Sequence, residues 1–390
     1  MAGTKGFFVV AYFLFVALFS SVSCGQTPTY QQNVTTTANW TTSSASTLPD
    51  GAIIYTADQI MPYYSNLAAI GLVRTGNPVY YPKVKAWMQW YVAHLNYPDK
   101  WRLSCTVYDY NVSGTTETPT NDADSTDSYA ATFVSLAWVY WQTGDATAQN
   151  YIRTLKYQLD CIGGVMVQTQ QRNGLTWAKP DYQVQYLMDN CEVYQGLSDL
   201  VSLFQVAFND TAGRDWYNTY ASYTLNGIQT VLWDSAHNNY LTDAAAPPTN
   251  WRVWYPDATA QLFPVLYGVL APTSTRAKNL YSTFNTEWPN WTSLKFPDAY
   301  PWVVVSGAAA LMSDATRVNN YITTIQAKYV NTGFPYPWYC AESGWFIRVN
   351  SYMLTPDLVQ NTGQVTIFNG GKKDPSHRGR SDALRPEQDK

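Results

Sequence analysis

Along most of the chain, apolar residues recur every three to four positions, which is the spacing of one face of an α-helix. Short stretches of Gly, Pro, Asn and Asp interrupt this pattern and are typical of turns. Some β-structure is expected near 106–110, in an aromatic loop. The pattern predicts helices over residues 58–74, 79–95, 127–142, 146–162, 182–206, 215–233, 257–270, 273–284, 301–312, 314–329 and 343–354.

These helices are expected to pair into successive hairpins. Each hairpin begins with an aromatic or acidic loop, followed by an apolar helix rich in small residues and Tyr; the starts fall near residues 58, 127, 187, 257, 302 and 345. Because each hairpin needs neighbours on both sides to bury its faces, the spacing favours a closed ring. We therefore predict an all-α fold, an (α/α)6 toroid with aromatic-rich loops at its cleft. An irregular all-α bundle or superhelix is the alternative.

The two ends of the chain differ from this helical region. Residues 1–25 contain Lys5, the apolar run 7–19 and then small residues, which is the pattern of a cleaved secretory signal. A membrane anchor is the alternative for this segment. Residues 26–50 are predicted to be a Ser/Thr-rich lead-in, 51–371 a single catalytic toroid domain, and 372–390 a disordered charged tail.

Composition narrows the choice of ligand. Charged residues make up 13% of the 390 residues, about half the usual share, whereas aromatic residues reach 16%. Residues 26–371 contain 17 basic and 24 acidic side chains, so they would repel nucleic acid. Many Trp and Tyr with few charges suit a sugar, which offers hydroxyls and flat apolar faces. We expect a secreted monomer with a carbohydrate substrate, without nucleic-acid partners, and without a membrane after signal cleavage.

Secretion also changes how the cysteines are interpreted. Cys105, Cys161, Cys191 and Cys340 are an even number in an oxidising compartment, so we predict that all four form disulfides, with three possible connectivities. Asn-x-Ser/Thr sequons, which indicate a glycoprotein, occur at Asn33, Asn39, Asn111, Asn209 and Asn290.

Carboxylates are the best candidates for chemistry, because the sequence contains no GxSxG, HExxH, GxGxxG or Walker motif. Asp189 and Glu192 are three residues apart on a predicted apolar helix and share one face. Burial of both together would raise the pKa of one of them, as a general acid requires. A hydrogen-bonded or salt-bridged core pair is the alternative.

Other acids open the predicted inner helices. Asp127 begins the helix that carries Tyr129, where it would meet the mouth of the toroid, whereas helix capping is the favoured explanation for Asp124. Asp257 follows two Trp and a Tyr, which capping alone does not explain. Asp298 lies in a similar setting, and so does Glu342, which could instead be only a helix-start acid.

Tryptophans also gather at these helix starts, where their faces would stack on sugar rings, although most Trp residues in proteins are part of the core. We expect substrate contacts from Asp124, Tyr129, Trp101, Trp254, Trp302, Trp338 and Trp345.

The segments 126–133, 187–194 and 255–261 together resemble the secreted six-hairpin (α/α)6-toroid glycosidases. The resemblance covers about residues 52–356 and rests on pattern and placement. It implies a carbohydrate cleft at the ends of the inner helices, with acids from several hairpins. Many such enzymes invert the anomeric centre, with an acid and a base separated by roughly 6.5–9.5 Å so that water fits between them.

The predicted function is therefore a secreted glycoside hydrolase, with inversion as the expected outcome and no metal or organic cofactor. Glu192 or Asp189 would protonate the glycosidic oxygen, and Asp127 or Asp257 would activate water or hold the sugar. A polysaccharide lyase on the same toroid is one alternative. A secreted carbohydrate-binding protein without a working acid pair is the other.

Overall fold

The computed structural model describes residues 26–356, so the predicted signal (1–25) and charged tail (372–390) lie outside the described residues. The helices are α1 (Gln26–Thr41), α2 (Pro62–Arg74), α3 (Tyr81–Ala93), α4 (Asp127–Trp141), α5 (Ala146–Thr154), α6 (Lys156–Thr169), α7 (Leu187–Val206), α8 (Thr211–Thr230), α9 (Phe263–Leu266), α10 (Thr275–Glu287), α11 (Val303–Leu311), α12 (Ala315–Lys328) and α13 (Cys340–Leu354). A turn over Trp254–Ala258 precedes α9 and is interrupted by extended backbone at Tyr255.

Short antiparallel strands lie in the connecting loops. One sheet has the order β1 (Gln59–Ile60), β2 (Tyr110–Ser113), β3 (Thr116–Pro119), and the second pairs β4 (Trp233–Asp234) with β5 (Asn239–Tyr240). The predicted β-segment near 106–110 thus leads directly into β2. In the part of the chain that the structure describes, no helix has both the length and the apolar character needed to cross a membrane.

Within residues 26–356, six helices form a closed inner ring. α2 packs on α4, α4 on α7, α7 on α9, α9 on α11, α11 on α13, and α13 packs on α2 again. On the outside, α3, α6, α8, α12 and α1 pack on α2, α4, α7, α11 and α13, and α10 follows α9 in the chain. The prediction of an all-α toroid built from helical hairpins is confirmed.

The difference between inner and outer helices follows from their apolar patterns. Nearly every residue of the inner helix α4 is buried, because both of its sides contact other helices. The outer helix α12 buries a single stripe at helical spacing, formed by Val318, Tyr321, Ile322 and Ile325. The amphipathic helices therefore face solvent outside a ring of more deeply buried helices.

Glycines allow the ring to close between α2 and α13. A Cβ atom on Gly344 would lie 2.2 Å from the carbonyl oxygen of Leu67, and one on Gly71 would lie 2.5 Å from the Cα of Gly344. Side chains at these two positions would force the helices apart, since interiors are already close-packed.

The first part of the predicted Ser/Thr-rich lead-in, residues 26–50, forms the helix α1. α1 packs on α13 and supplies the outer helix of the sixth hairpin. Val34 and Ala38 are buried, and the Asn33 amide donates to Asn350 Oδ1 at 2.9 Å. The segment has little apolar content of its own, so tertiary contacts rather than local pattern make it helical.

The cysteine prediction is correct for one pair only. Cys105 and Cys161 form a disulfide that joins the loop after α3 to α6. Cys191 and Cys340 are free and buried, and they belong to two different hydrophobic clusters. Each instead packs as a small apolar side chain.

One glycosylation candidate also needs correction. Asn33 is 1% exposed and accepts a hydrogen bond from Gln326 Nε2 at 3.0 Å, so the folded protein has no room for a glycan there. The other four sequon asparagines are exposed and stay predictions: Asn39, Asn111, Asn209 and Asn290.

Candidate active site

A cavity of about 350 Å³ opens where the N-terminal ends of the inner helices converge. We call it the inner cavity. Side chains from the starts of α2, α4, α7 and α13, and from the loops before α9 and α11, line it. Helix N-termini carry partial positive charge, so this end of the ring stabilises carboxylates.

Four acids from different hairpins line the inner cavity: Asp124, Asp189, Asp298 and Glu342. The ring closure brings them together from distant parts of the sequence. Within residues 26–356, no group of three or more His, Cys, Asp or Glu side chains is arranged to hold a metal ion.

Asp189 lies in the first turn of α7, where the helix opens into the inner cavity. Burial and, to a smaller extent, the negative charge of Asp124 raise the pKa of Asp189 to about 7. A carboxyl group with such a pKa is protonated in a substantial fraction of molecules near neutral pH, which is what a general acid needs.

Glu342 lies in the first turn of α13 and is 4% exposed. Its two oxygens accept hydrogen bonds from the backbone N–H groups of Trp302, at 3.1 Å, and Val303, at 2.8 Å, where α11 begins. Burial raises the pKa of Glu342 to about 7, although the two backbone donors oppose this effect. The carboxylate is thus fixed in one orientation at the cavity wall.

Asp298 is held by the loop before α11. It accepts hydrogen bonds from the backbone N–H of Tyr300 at 2.9 Å and from the indole of Trp302 at 2.8 Å. Trp302 lines the cavity with a left-handed backbone, at φ 56°. The indole of Trp302 and the carboxylate of Asp298 therefore position each other.

Tyrosine and tryptophan rings complete the wall. Tyr55 stacks on Tyr64 with ring centres 4.8 Å apart and meets Tyr339 edge-on at 5.1 Å. Tyr255 contacts Trp302 at 5.1 Å. These rings offer flat apolar faces and hydroxyl groups, the two features by which proteins bind sugars.

Glu192, which the sequence paired with Asp189, lies beneath the inner cavity. It is 2% exposed and accepts a hydrogen bond from Tyr63 Oη at 2.6 Å. Burial raises its pKa to about 8, and the charge of Asp189 adds to the rise, whereas the hydrogen bond from Tyr63 opposes it. Tyr63 also lines the inner cavity, so Glu192 holds part of the floor on which a ligand would rest.

Asp127 is fully buried at the start of α4. It accepts hydrogen bonds from Thr176 Oγ1 at 2.6 Å and from the backbone N–H of Ser128 at 2.8 Å. Burial raises its pKa well above the ordinary value, and the charges of Asp189 and Glu192 act in the same direction. Its contacts connect α4 to the loop before α7.

Asp257 and Tyr129 make structural contacts. Asp257 accepts a hydrogen bond from the backbone N–H of Asn250 at 2.7 Å, which closes the loop before α9. Tyr129 is 3% exposed, and its hydroxyl donates to Asp109 at 2.7 Å.

The predicted tryptophans divide between cavity and core. Trp302 and Trp345 line the inner cavity together with Asp124. Trp254 is buried and stacks on Phe296 with ring centres 4.1 Å apart. Trp338 is buried and donates to Ser343 Oγ at 2.8 Å, and Trp101 lies against the ammonium groups of Lys100 and Lys179.

Sequence reasoning ranked Asp298 and Glu342 below the other acids as candidates for the site, yet both line the inner cavity. Both had the same signal as Asp257, an acid flanked by aromatic residues at a helix start. Only the ring shows that these two reach the cavity and that Asp257 faces its own loop.

Comparison with known proteins supports the fold. The chain matches no protein-family model and no curated protein. A glycosidase in complex with glucose superposes with a TM-score of 0.60 at 7% identity, over 87% of this chain and 99% of that one. A GH63 mannosylglycerate hydrolase from Thermus thermophilus, in complex with glucose, gives 0.54 at 12% identity, over 83% and 99%.

A third solved structure agrees with these two. The rhamnosidase from Klebsiella oxytoca, with rhamnose bound, gives a TM-score of 0.57 at 13% identity, over 84% of this chain and 64% of that one. The toroid is thus the fold that these glycosidases adopt, which confirms the predicted likeness at the level of architecture.

Proposed function

We propose that this protein is a glycoside hydrolase in which Asp189 is the general acid and Glu342 the general base. The observation that carries the proposal is that these two carboxyl groups, from different helices of the ring, line one cavity whose walls are aromatic. Glycosidic bonds are cleaved by such a pair of carboxyl groups. The fold shared with glycosidases supports the same reaction class.

The proposed reaction is a direct displacement. Asp189 gives its proton to the glycosidic oxygen as the bond from that oxygen to the anomeric carbon breaks. Glu342 takes a proton from water, and the water oxygen forms the new bond to the anomeric carbon, which inverts its configuration. The proton gained by Glu342 later returns to solvent, and Asp189 is reprotonated from solvent.

The protonation state needed for this reaction is favoured near neutrality. The reactive form has Asp189 protonated and Glu342 ionised. Because the pKa of each group is raised to about 7, this form is most populated around that pH and declines on both sides.

The inner cavity is suited to a neutral sugar. Among the described residues, its lining contains four carboxyl groups and no Lys or Arg side chain, so the carboxylate of a uronic acid would have no cationic partner there, which disfavours the lyase alternative. Asp124 and Asp298 would accept hydrogen bonds from sugar hydroxyls, and Trp302, Trp345 and Tyr255 would contact ring faces.

Secretion is proposed as well, from the signal-like segment 1–25 and the disulfide between Cys105 and Cys161.

The first test is a screen of the secreted protein against plant, fungal and bacterial polysaccharides and their disaccharides, with new reducing ends as the readout. Asp189→Asn and Glu342→Gln should each abolish most of the activity, whereas Asp215→Asn, on the exposed face of α8, should not. Proton NMR of the first product gives its anomeric configuration, and retention would contradict the direct displacement. If members of the panel bind to the protein but none of them is hydrolysed, the result would contradict the hydrolase and favour the carbohydrate-binding alternative.

A further inference from the structure

A second cavity, of about 700 Å³, adjoins the inner one and is called the outer cavity. Lys179, Asp181, Tyr182 and Tyr186, from the segment that precedes α7, form one side of it. Tyr182 and Tyr255, both on its wall, are 47% and 53% exposed. Two exposed aromatic rings on the wall of one cavity form the kind of apolar surface that proteins use to contact ligands.

Hydrogen bonds fix the side chains that form the wall of the outer cavity. The hydroxyl groups of Tyr182 and Tyr186 lie 2.8 Å apart in a hydrogen bond. Lys179 is fixed by hydrogen bonds to Asp122 Oδ1, at 2.9 Å, and to the carbonyl oxygen of Ala123, at 2.7 Å. Tyr186 is further anchored by a β-bridge to Asp243. The aromatic wall is therefore held in place before any ligand arrives.

The two cavities meet at the proposed general acid. Asp189, Asp124 and Tyr255 line both of them, whereas Glu342 and Asp298 line the inner cavity. A general acid must lie beside the oxygen that links the cleaved sugar to its leaving group. The bond to be broken would then lie at the junction, with one part of the substrate on each side of it.

The inner cavity narrows to a floor beneath its aromatic wall. Below Leu67 and Tyr267, which line it, the next space is about 20 Å³ in volume, too small for a sugar ring. A chain that enters from the outer cavity would therefore stop in the inner one.

We infer that the outer cavity is the binding site for the leaving group, that Tyr182 is its main specificity residue, and that the enzyme removes sugars from a chain end. The inference rests on the proposed hydrolase function. The chemical class of this leaving group is a saccharide without acidic groups, because Asp124, Asp181 and Asp189 outnumber Lys179, whose ammonium group is already paired with Asp122. The Tyr182 ring would stack on the sugar that follows the cleaved bond.

The test compares two substrates of the sugar that the polysaccharide screen identifies. One is its disaccharide, whose second sugar would occupy the outer cavity, and the other is its glycosyl fluoride, whose leaving group is a single atom. Tyr182→Ala should lower kcat/KM for the disaccharide about ten-fold more than kcat/KM for the fluoride. Tyr182→Phe, which keeps the ring, should recover most of the loss on the disaccharide.

Tyr157→Ala is the matched control, because Tyr157 is 43% exposed on α6 and its replacement should alter neither substrate's kinetics. Chain-end action is tested with the products of a labelled tetrasaccharide, from which the monosaccharide should be released first. Early internal products, or an equal effect of Tyr182→Ala on both substrates, would overturn the inference and leave the hydrolase proposal intact. If the wild-type protein hydrolyses no member of the panel, the proposed function and this inference both fail.

Discussion

The inner cavity and the layer directly beneath it contain the same chemical groups, yet these groups have different surroundings. In the cavity, Asp189 and Glu342 border open space that a ligand can occupy. One helical turn below Asp189, Glu192 is enclosed and accepts a hydrogen bond from the hydroxyl of Tyr63. Burial raises the pKa of all three groups. A raised pKa alone therefore does not identify a catalytic acid, and access to the cavity decides between them.

The largest expected effect is the loss of activity on removing a cavity acid. Asp189→Asn should lower kcat on the disaccharide by about 10²–10⁴-fold, the usual contribution of general acid catalysis, with the fold unchanged. The loss should be smaller on the glycosyl fluoride, because fluoride leaves without a proton donor. Circular dichroism checks the fold, and the same loss on both substrates would contradict the role of Asp189 as acid.

Two neighbours in the chain sharpen the comparison between cavity and core. Trp254 is 2% exposed and Tyr255 is 53% exposed. Trp254→Ala should lower the free energy of unfolding by about 3–5 kcal/mol, the usual cost of truncating a buried aromatic residue. Tyr255→Ala should cost much less stability and instead raise KM.

Urea unfolding and steady-state kinetics on both variants measure these effects. Equal stability losses in the two variants would show that Tyr255 is part of the core rather than of the cavity wall.

In the layer beneath the cavity, substitutions should change stability through lost hydrogen bonds, and they should not lower kcat through loss of a proton donor. Glu192→Leu removes the acceptor of the buried Tyr63 hydroxyl and should cost about 1–3 kcal/mol of stability. Glu192→Gln keeps an acceptor, so its stability and its kcat should stay closer to those of the wild type. A kcat loss in Glu192→Gln as large as that in Asp189→Asn would restore Glu192 as a catalytic candidate.

The smallest expected effect, when counted per pH unit, is on the pH dependence of stability. The folded-state pKa of Glu192, about 8, lies above its ordinary value of 4.5, so the folded protein holds the proton more tightly than the unfolded chain. This stabilisation is complete below about pH 4.5 and is lost as the pH rises towards 8. Glu192→Gln should therefore flatten the decline of stability over this range, by up to about 1 kcal/mol per pH unit.

Urea unfolding at several pH values between about 5 and 8 checks this prediction. Glu287→Gln, which changes an exposed residue at the end of α10, is the control and should leave the slope unchanged. An unchanged slope in Glu192→Gln would mean that Glu192 is ionised in the folded protein.

The candidate site was only partly predictable from the sequence. Asp189, Asp124, Trp302 and Trp345 were selected because they stand at the starts of apolar helices, and the structure places all four at the inner cavity. The same signal also selected Asp127, Asp257 and Trp254, which lie elsewhere. Helical spacing shows which residues share a face, but not which neighbour that face meets.

What the sequence by itself determined is most of the helices, apart from α1, and their hairpin order. These depend on local spacing of apolar residues and on turn residues, so they can be recognised without knowledge of the rest of the chain. α4 and α7 are examples, since each was predicted to within a few residues of its observed bounds.

What only the tertiary structure decided is which distant residues meet. α1 is helical because it packs on α13, and Cys191 and Cys340 are unpaired although their even count with Cys105 and Cys161 suggested two disulfides. Glu342 comes to face the cavity of Asp189 because the glycine contacts between α2 and α13 close the ring. Each of these outcomes depends on contacts between segments far apart in the chain, and local patterning carries no record of such contacts.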